Sequence, residues 1–300
     1  MLDKTKYDWS KLQGVDDITV GRYFEHDDDA KKQFQKWLSF LQKPDSKVLE
    51  IGSGSGFFTN ILLNLFDNIK LTCLEPDETF VETLKNRFKE HISIVNEPIE
   101  TTTIPSNSFD YSISHIVIHN LLDPVVALQQ MSRVVKSNGK IITIDPLPAS
   151  RHYYPSEEIT KAFDFLEKAV RYKCMERMKD KEDMIPRNPW TYFYPKFFEE
   201  VGLKNITCYG WTSVFTISDT RYDFSEKKKW FKLRYDLAKK QQAKVRDILL
   251  RNNENEKEID EAYGVVFDYY NKLVTITEKE LKQTHEQEIV HRIITIGEKP

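Results

Sequence analysis

Between Lys47 and Asp145 short apolar runs alternate with amphipathic stretches, and few folds accommodate that rhythm. Lys47–Ile51 (KVLEI) predicts a buried strand. Phe57, Phe58, Ile61, Leu62, Leu65 and Phe66 then recur at helical spacing. Ile69–Glu75 predicts a second strand, followed by a helix carrying Phe80, Val81, Leu84 and Phe88. His91–Val95, Phe109–Ser114 and Lys140–Asp145 predict three more strands. Val125–Val135 predicts a helix stopped by Ser137-Asn138-Gly139, a glycine-after-helix turn. Consecutive βα units of this kind close as a doubly wound, mostly parallel α/β sheet.

The rest of the chain changes character. Beyond Pro146 and Pro148, Ser156–Met178 reads as helix, Tyr194–Val201 as a short helix and Lys204–Thr216 as a sixth strand. Glu288–Ile296 reads as a last, antiparallel strand, completing a seven-stranded sheet. Between those strands Trp230, Leu233, Leu237, Val245, Ile248 and Leu249 share one helix face. Ile259, Ala262, Tyr263, Val266, Phe267, Tyr270 and Leu273 share another, and Arg251–Lys257 (RNNENEK) joins the two. The expected division is a helical segment over 1–46, a ligand-binding core over 47–150 and a helical cap segment over 151–190. The core continues over 191–217, a helical cap insertion fills 218–287, and the final core strand lies in 288–300. An inserted helical pair must bury its apolar faces, and the ligand-bearing rim of the sheet is the nearest surface. A homodimer arm is the alternative.

With 300 residues, 40% of them hydrophobic, the chain can build one large core. A net charge of −3 argues against a protein held to nucleic acid through phosphates. The three cysteines form no CxxC pair, and neither a signal peptide nor a membrane-length apolar run is visible. A cytoplasmic protein without nucleic-acid or membrane partners is expected.

Glu50-Ile51-Gly52-Ser53-Gly54-Ser55-Gly56 ends the first strand and opens the first helix. Glycines there let the backbone turn tightly and approach a ligand that side chains would exclude. Glu50 would repel a pyrophosphate but suits a cationic group, and no GK[ST] follows, so the loop is not a P-loop. Glu75 ends the second strand, where a carboxylate can accept both ribose hydroxyls.

With NEPIETTTIPSNSFDYSIS and HIVIHNLLDP leading to RVVKSNGKIITID, these features stand in one order. The segment Lys47–Asp145 resembles the class I S-adenosylmethionine-dependent methyltransferase family, in its small-molecule branch. That resemblance implies a Rossmann-like fold and S-adenosylmethionine as cofactor. It implies that Gly52, Ser53 and Gly54 wrap the methionyl part, with Glu50 and Gly56 also in the cofactor site, and that Glu75 binds the ribose. Pro76 and Asp77 would border the adenine, with Glu97 and the Ile99 N–H at its edge. Ser114 and His115 would meet the methionine amine. In similar enzymes the N-terminal segment covers the cofactor, and Tyr23 or Arg22 would reach its carboxylate. The family's acidic residue followed by Ala-Glu is replaced here by Glu97-Pro98-Ile99-Glu100, which leaves the adenine amine to Glu97 or to no carboxylate.

Methyl transfer from a sulfonium is an in-line displacement, helped by a base when the acceptor is neutral. His119, His115 and Asp145 are the catalytic candidates; His152 lies just past the fifth strand. His119 packing or capping its turn is the structural alternative, and for Asp145 it is a backbone-ordering role. Asp145 has no evident partners in the sequence, and no metal is expected. Tyr153, Tyr154, Trp190, Tyr192, Phe193, Tyr194 and Trp211 can wall an acceptor site or form a core of their own. The expected function is methyl transfer to a small molecule. Nucleic-acid or protein methylation, or cofactor binding without turnover, are the alternatives.

Overall fold

The apolar runs become strands in a computed structural model that describes residues 10, 22, 28–121, 123–147, 151–178 and 190–300, the side chains of 173–178 and 190 excepted. In chain order the strands are β1 (Lys47–Ile51), β2 (Lys70–Leu74), β3 (Ser93–Val95), β4 (Phe109–His115), β5 (Val135–Pro146), β6 (Arg151–Tyr153), β7 (Lys204–Thr216) and β8 (Gln287–Glu298). The α-helices are α1 (Asp28–Trp37), α2 (Phe57–Leu65), α3 (Glu78–Phe88), α4 (Pro124–Val134), α5 (Glu157–Met178) and α6 (Trp190–Glu200). After β7 come α7 (Phe224–Arg251), α8 (Glu256–Thr275) and the one-turn α9 (Glu278–Leu281).

The sheet runs β3-β2-β1-β4-β5-β8, with β7 also on β8. The first five strands are parallel; β8 returns antiparallel to β5, from Lys140 opposite Glu298 to Pro146 opposite Arg292. The sequence reading did not foresee β6, whose three residues pair with Gln287–Ile289. The expected turn at Ser137-Asn138-Gly139 is also corrected. α4 passes directly into β5, and the residue at positive φ is Asn138 (64°), inside an irregularity of the strand. Gly139 serves a close approach instead, because a Cβ there would lie 2.4 Å from the Asp110 carbonyl oxygen.

Helix starts follow local chemistry. Asp77 caps α3 by accepting from the Thr79 and Phe80 amides, and Asp123 with Pro124 opens α4. Asp223 and Glu226 form a capping box on α7, and Asn255 caps α8.

Two compact units result. The first comprises Met1–Ala149, Asn188–Ser213 and Val290–Pro300, the second Ser150–Arg187 and Val214–Ile289. In the first, Phe34, Val48, Phe58, Leu62, Ile113, Ile142, Trp211 and Ile294 share one core. In the second, Ala169 of α5, Ile248 and Leu249 of α7, and Ile259 and Tyr263 of α8 form another. That unit is also braced by the buried carboxylate of Glu286. It accepts from Arg234 at 2.6 Å and from Tyr269, and it meets His152 Nε2 at 2.7 Å. Burial on its own would raise the Glu286 carboxyl, but the Arg234 charge, the His152 hydrogen bond and charge, and the Arg234 hydrogen bond together hold it down to about 2. No helix among the described residues is long and apolar enough to cross a membrane.

The strand order places the candidate site. The chain winds outward from β1 to β3, then returns to β4 on the other side of β1. The loops leaving β1 and β4 therefore diverge at the switch point, where open α/β sheets bind ligands. Ile51 pairs with Ser114, and His115 with Ile144, so the glycine loop, the turn after β4 and the end of β5 share one rim.

Candidate active site

The loop after β1 holds Gly52, Gly54 and Gly56 at φ of 64°, 55° and 81°, all left-handed. At Gly52 a Cβ would also come 2.7 Å from Val117 Cγ2, so that backbone is bare by necessity. The Gly54 amide donates to Glu75 Oε2 at 2.8 Å, and the Asp77 amide to Oε1 at 3.0 Å. Glu75 is buried at the end of β2, which pushes its carboxyl up to about 7, with smaller contributions from the nearby Asp77 and Glu50 charges.

Glu50 lies behind the loop, 1% exposed. It accepts from Thr59 Oγ1 at 2.6 Å, and the Cys73 thiol donates to it at 3.6 Å. Burial raises it too to about 7, against these hydrogen bonds and the Arg22 charge. Arg22 is itself lowered to about 10 by burial, a shift that the charges of Glu50 and Asp145 oppose. Tyr23 lies outside the described residues.

Asp145 ends β5 fully buried, and its Oδ1 sits 2.6 Å from His119 Nδ1, in the turn after β4. Its other oxygen, Oδ2, accepts from the buried Tyr194 hydroxyl at 2.7 Å. The sequence reading, which saw no partners for Asp145, is thereby corrected. Tyr194 comes from α6, 49 residues away, and no local pattern announces that contact. His119 and Asp145 side chains are 9% and 0% exposed. His115 is enclosed more tightly, its ring flat on Phe58 at 4.4 Å.

The other expected residues are placed as follows. Ser114 ends β4 fully buried, and Ser53 is 5% exposed within the glycine loop. Pro76 is half-buried, and the Asn96 amide holds its carbonyl at 3.1 Å. Ile99 is buried in a short 3-10 turn. Glu97 braces its own loop: its oxygens accept from Thr102 Oγ1 at 2.8 Å and from the Thr103 amide and hydroxyl, both at 2.7 Å. Those Thr103 bonds hold it below the usual carboxylate range. The aromatic residues do not form one group. Trp211 packs edge-on against Phe34 in the first core, Tyr192 is 55% exposed, and Tyr154 stacks on His152 and Phe163 in the second unit. Among the described residues no group of three or more His, Cys, Asp or Glu is arranged to hold a metal.

These residues fit a nucleoside with a cationic tail. A Cβ at Gly52 would crowd Val117, two buried carboxyls, Glu50 and Glu75, lie at the strand ends around the loop, and among the described residues Ser55 Oγ and Ser114 Oγ are buried without protein partners.

A family described as "Methyltransferase domain" matches residues 49–143. The chain is 24% identical to a malonyl-[acyl-carrier protein] O-methyltransferase of Paenibacillus sp., over 55% of this chain and 57% of that protein. It is 35% identical to ribosomal RNA small subunit methyltransferase A of Malacoplasma penetrans, over 34% of this chain and 35% of that protein. The chain thus spans about half or less of these curated relatives. Its fold is similar to that of phosphoethanolamine N-methyltransferase 2 from Haemonchus contortus, solved with S-adenosyl-L-methionine. The TM-score is 0.52 at 12% identity, covering 100% of this chain and 60% of that one.

Proposed function

We propose that the chain, whose residues 49–143 match a methyltransferase-domain family, is a class I S-adenosylmethionine-dependent methyltransferase that methylates a small-molecule acceptor. The observation that carries this reading is the His119–Asp145 pair, held beside the glycine loop at one rim. The backbone of Gly52–Gly56 and the carboxyls of Glu50 and Glu75 would hold the methionyl part and ribose. Pro76, Ile99 and Glu97 would border the adenine, and Ser114 and His115 the amine. When bound, the cofactor supplies a methyl group on a positively charged sulfur, open to in-line displacement. His119 would take the acceptor's proton. Its Nδ1 faces the Asp145 carboxylate, which leaves Nε2 to act as base. An acceptor that arrives with its proton, a hydroxyl or an amine, is the class such a base serves.

The family match ends at residue 143, and the relatives are named for substrates as different as an acyl-carrier protein and ribosomal RNA. Acceptor choice is therefore assigned to the remainder, with the helical second unit as the cap. A cytoplasmic location and a homodimer through residues 218–287 belong to the same proposal.

Calorimetry should give micromolar binding of S-adenosylmethionine and S-adenosylhomocysteine, and none of NAD. Label from methyl-labelled cofactor should then enter the small-molecule fraction of a cell extract, with His119→Ala slowing transfer by roughly 10²–10⁴. NAD binding alone, label in RNA or protein, or full turnover by His119→Ala would overturn the reading.

A further inference from the structure

The Asp145 carboxylate is held from two sides by groups on different elements. His119 Nδ1 meets Oδ1 at 2.6 Å, and the Tyr194 hydroxyl donates to Oδ2 at 2.7 Å. Phenylalanine would fill the space of Tyr194 equally well, so the hydroxyl needs its own explanation. Burial and the adjacent carboxylate push Tyr194 well above the ordinary phenol range, so its proton stays on. An ionised carboxylate only accepts, so the His119 nitrogen facing Oδ1 must be the protonated one, and Nε2 carries the lone pair.

We propose that Tyr194 is a positioning residue for the His119–Asp145 pair. Its hydroxyl fixes the carboxylate in orientation, so that Oδ1 holds the imidazole by Nδ1 and Nε2 is turned toward an acceptor's proton. The inference rests on the pair acting as the acceptor's base. Other charged or titratable groups lie around the pair. Arg22 acts electrostatically on Asp145 and Glu50, Arg292 of β8 stands in register opposite Pro146, and His115 of β4 lies against Phe58. Among the described residues, the hydrogen bonds to the Asp145 side chain come from His119 and Tyr194 alone. Loss of the phenol hydroxyl therefore halves the carboxylate's support.

The test is a nuclear magnetic resonance titration of the full chain with isotope-labelled histidine, the His119 signal being assigned by its loss in His119→Gln. In the wild type the neutral ring should carry its proton on Nδ1. In Tyr194→Phe the buried carboxylate loses a charge-assisted hydrogen bond and the pair binds a proton more readily. The His119 midpoint should rise by about one pH unit. Fluorotyrosine at position 194 keeps the shape, strengthens the donor and should lower the midpoint, and it carries the test should Tyr194→Phe fail to fold. A tyrosine that only fills space would leave the midpoint in place in both proteins. That result, or a proton on Nε2 in the wild type, overturns the proposal. The midpoint reports on Tyr194 whether or not His119→Ala loses methyl transfer, so the two readings fail separately.

Discussion

Glu50 and Glu75 both stand near 7 instead of the usual 4.5, each raised mainly by burial. Below about pH 4.5 native and unfolded chains both carry these protons. Between 4.5 and 7 the unfolded chain has released them and the native chain has not, so stability falls as pH rises through that window. Without cofactor the loss should approach about 3 kcal/mol per carboxyl at neutral pH, measurable by denaturant titration at pH 5 and 7.5. Cofactor binding favours both ionised forms. It should therefore release on the order of one proton near pH 6.5, read by calorimetry in buffers of different ionisation heat. An unchanged proton count would mean that neither carboxyl meets the ligand. Asp145→Asn tests the other half of the rim. An amide can donate to His119 Nδ1 and so place the ring proton on Nε2. Methyl transfer should fall by roughly 10²–10⁴ with cofactor affinity unchanged. The first pair of carboxyls could be located from sequence because Glu50 is contiguous with the glycine loop and Glu75 ends the next apolar run. Neither Tyr194 on Asp145 nor Thr102 and Thr103 on Glu97 could be read that way. The first contact depends on where α6 docks, the second on how a short loop satisfies its own polar groups.

Strands proved more legible than their ends. An apolar run announces that it is buried, but where pairing stops depends on the neighbour. β5 starts as early as Val135 because β4 offers Phe109 to pair with, and the irregularity before the next pair, Tyr111 with Lys140, is what the sequence shows only as Ser-Asn-Gly. β6 was invisible for the same reason: three residues carry no periodicity, and their pairing with Gln287–Ile289 supplies the structure. Two glycines separate close approach from mere tolerance. A Cβ on Gly139 would lie 2.4 Å from the Asp110 carbonyl oxygen and 2.4 Å from Val135 Cγ1, so Gly139→Ala should cost roughly 2–4 kcal/mol. Gly264, inside α8, has nothing within 4 Å of such a Cβ, and Gly264→Ala should stabilise by about 0.5–1 kcal/mol. Thermal unfolding of the two variants should therefore move in opposite directions. Equal shifts would mean that the strand around Gly139 relaxes freely.

The second unit draws its core from three helices, α5, α7 and α8. Removing only α7 and α8 would bare Ala169, Phe165 and Leu166 on α5, and such a protein would report aggregation instead of function. The informative variant excises residues 157–178 and 224–281 together, with short flexible linkers. The core of the first unit is built from β1, β4, β5, β8 and the helices α1 and α2, all retained, and so are Glu50, Gly52, Glu75, His119, Asp145 and Tyr194. Affinity for S-adenosylhomocysteine should then stay within about threefold of the intact chain, because the groups assigned to the cofactor belong to the first unit. Transfer to the acceptor should be lost, since acceptor selection is assigned to the helices removed. The same preparation tests the homodimer. A wild-type dimer that sediments as a monomer after excision places the contact in the second unit, whereas a dimer in both proteins places it elsewhere. If the excised protein binds cofactor and still methylates the acceptor at the wild-type rate, the helical unit is no cap and the acceptor is chosen at the rim itself.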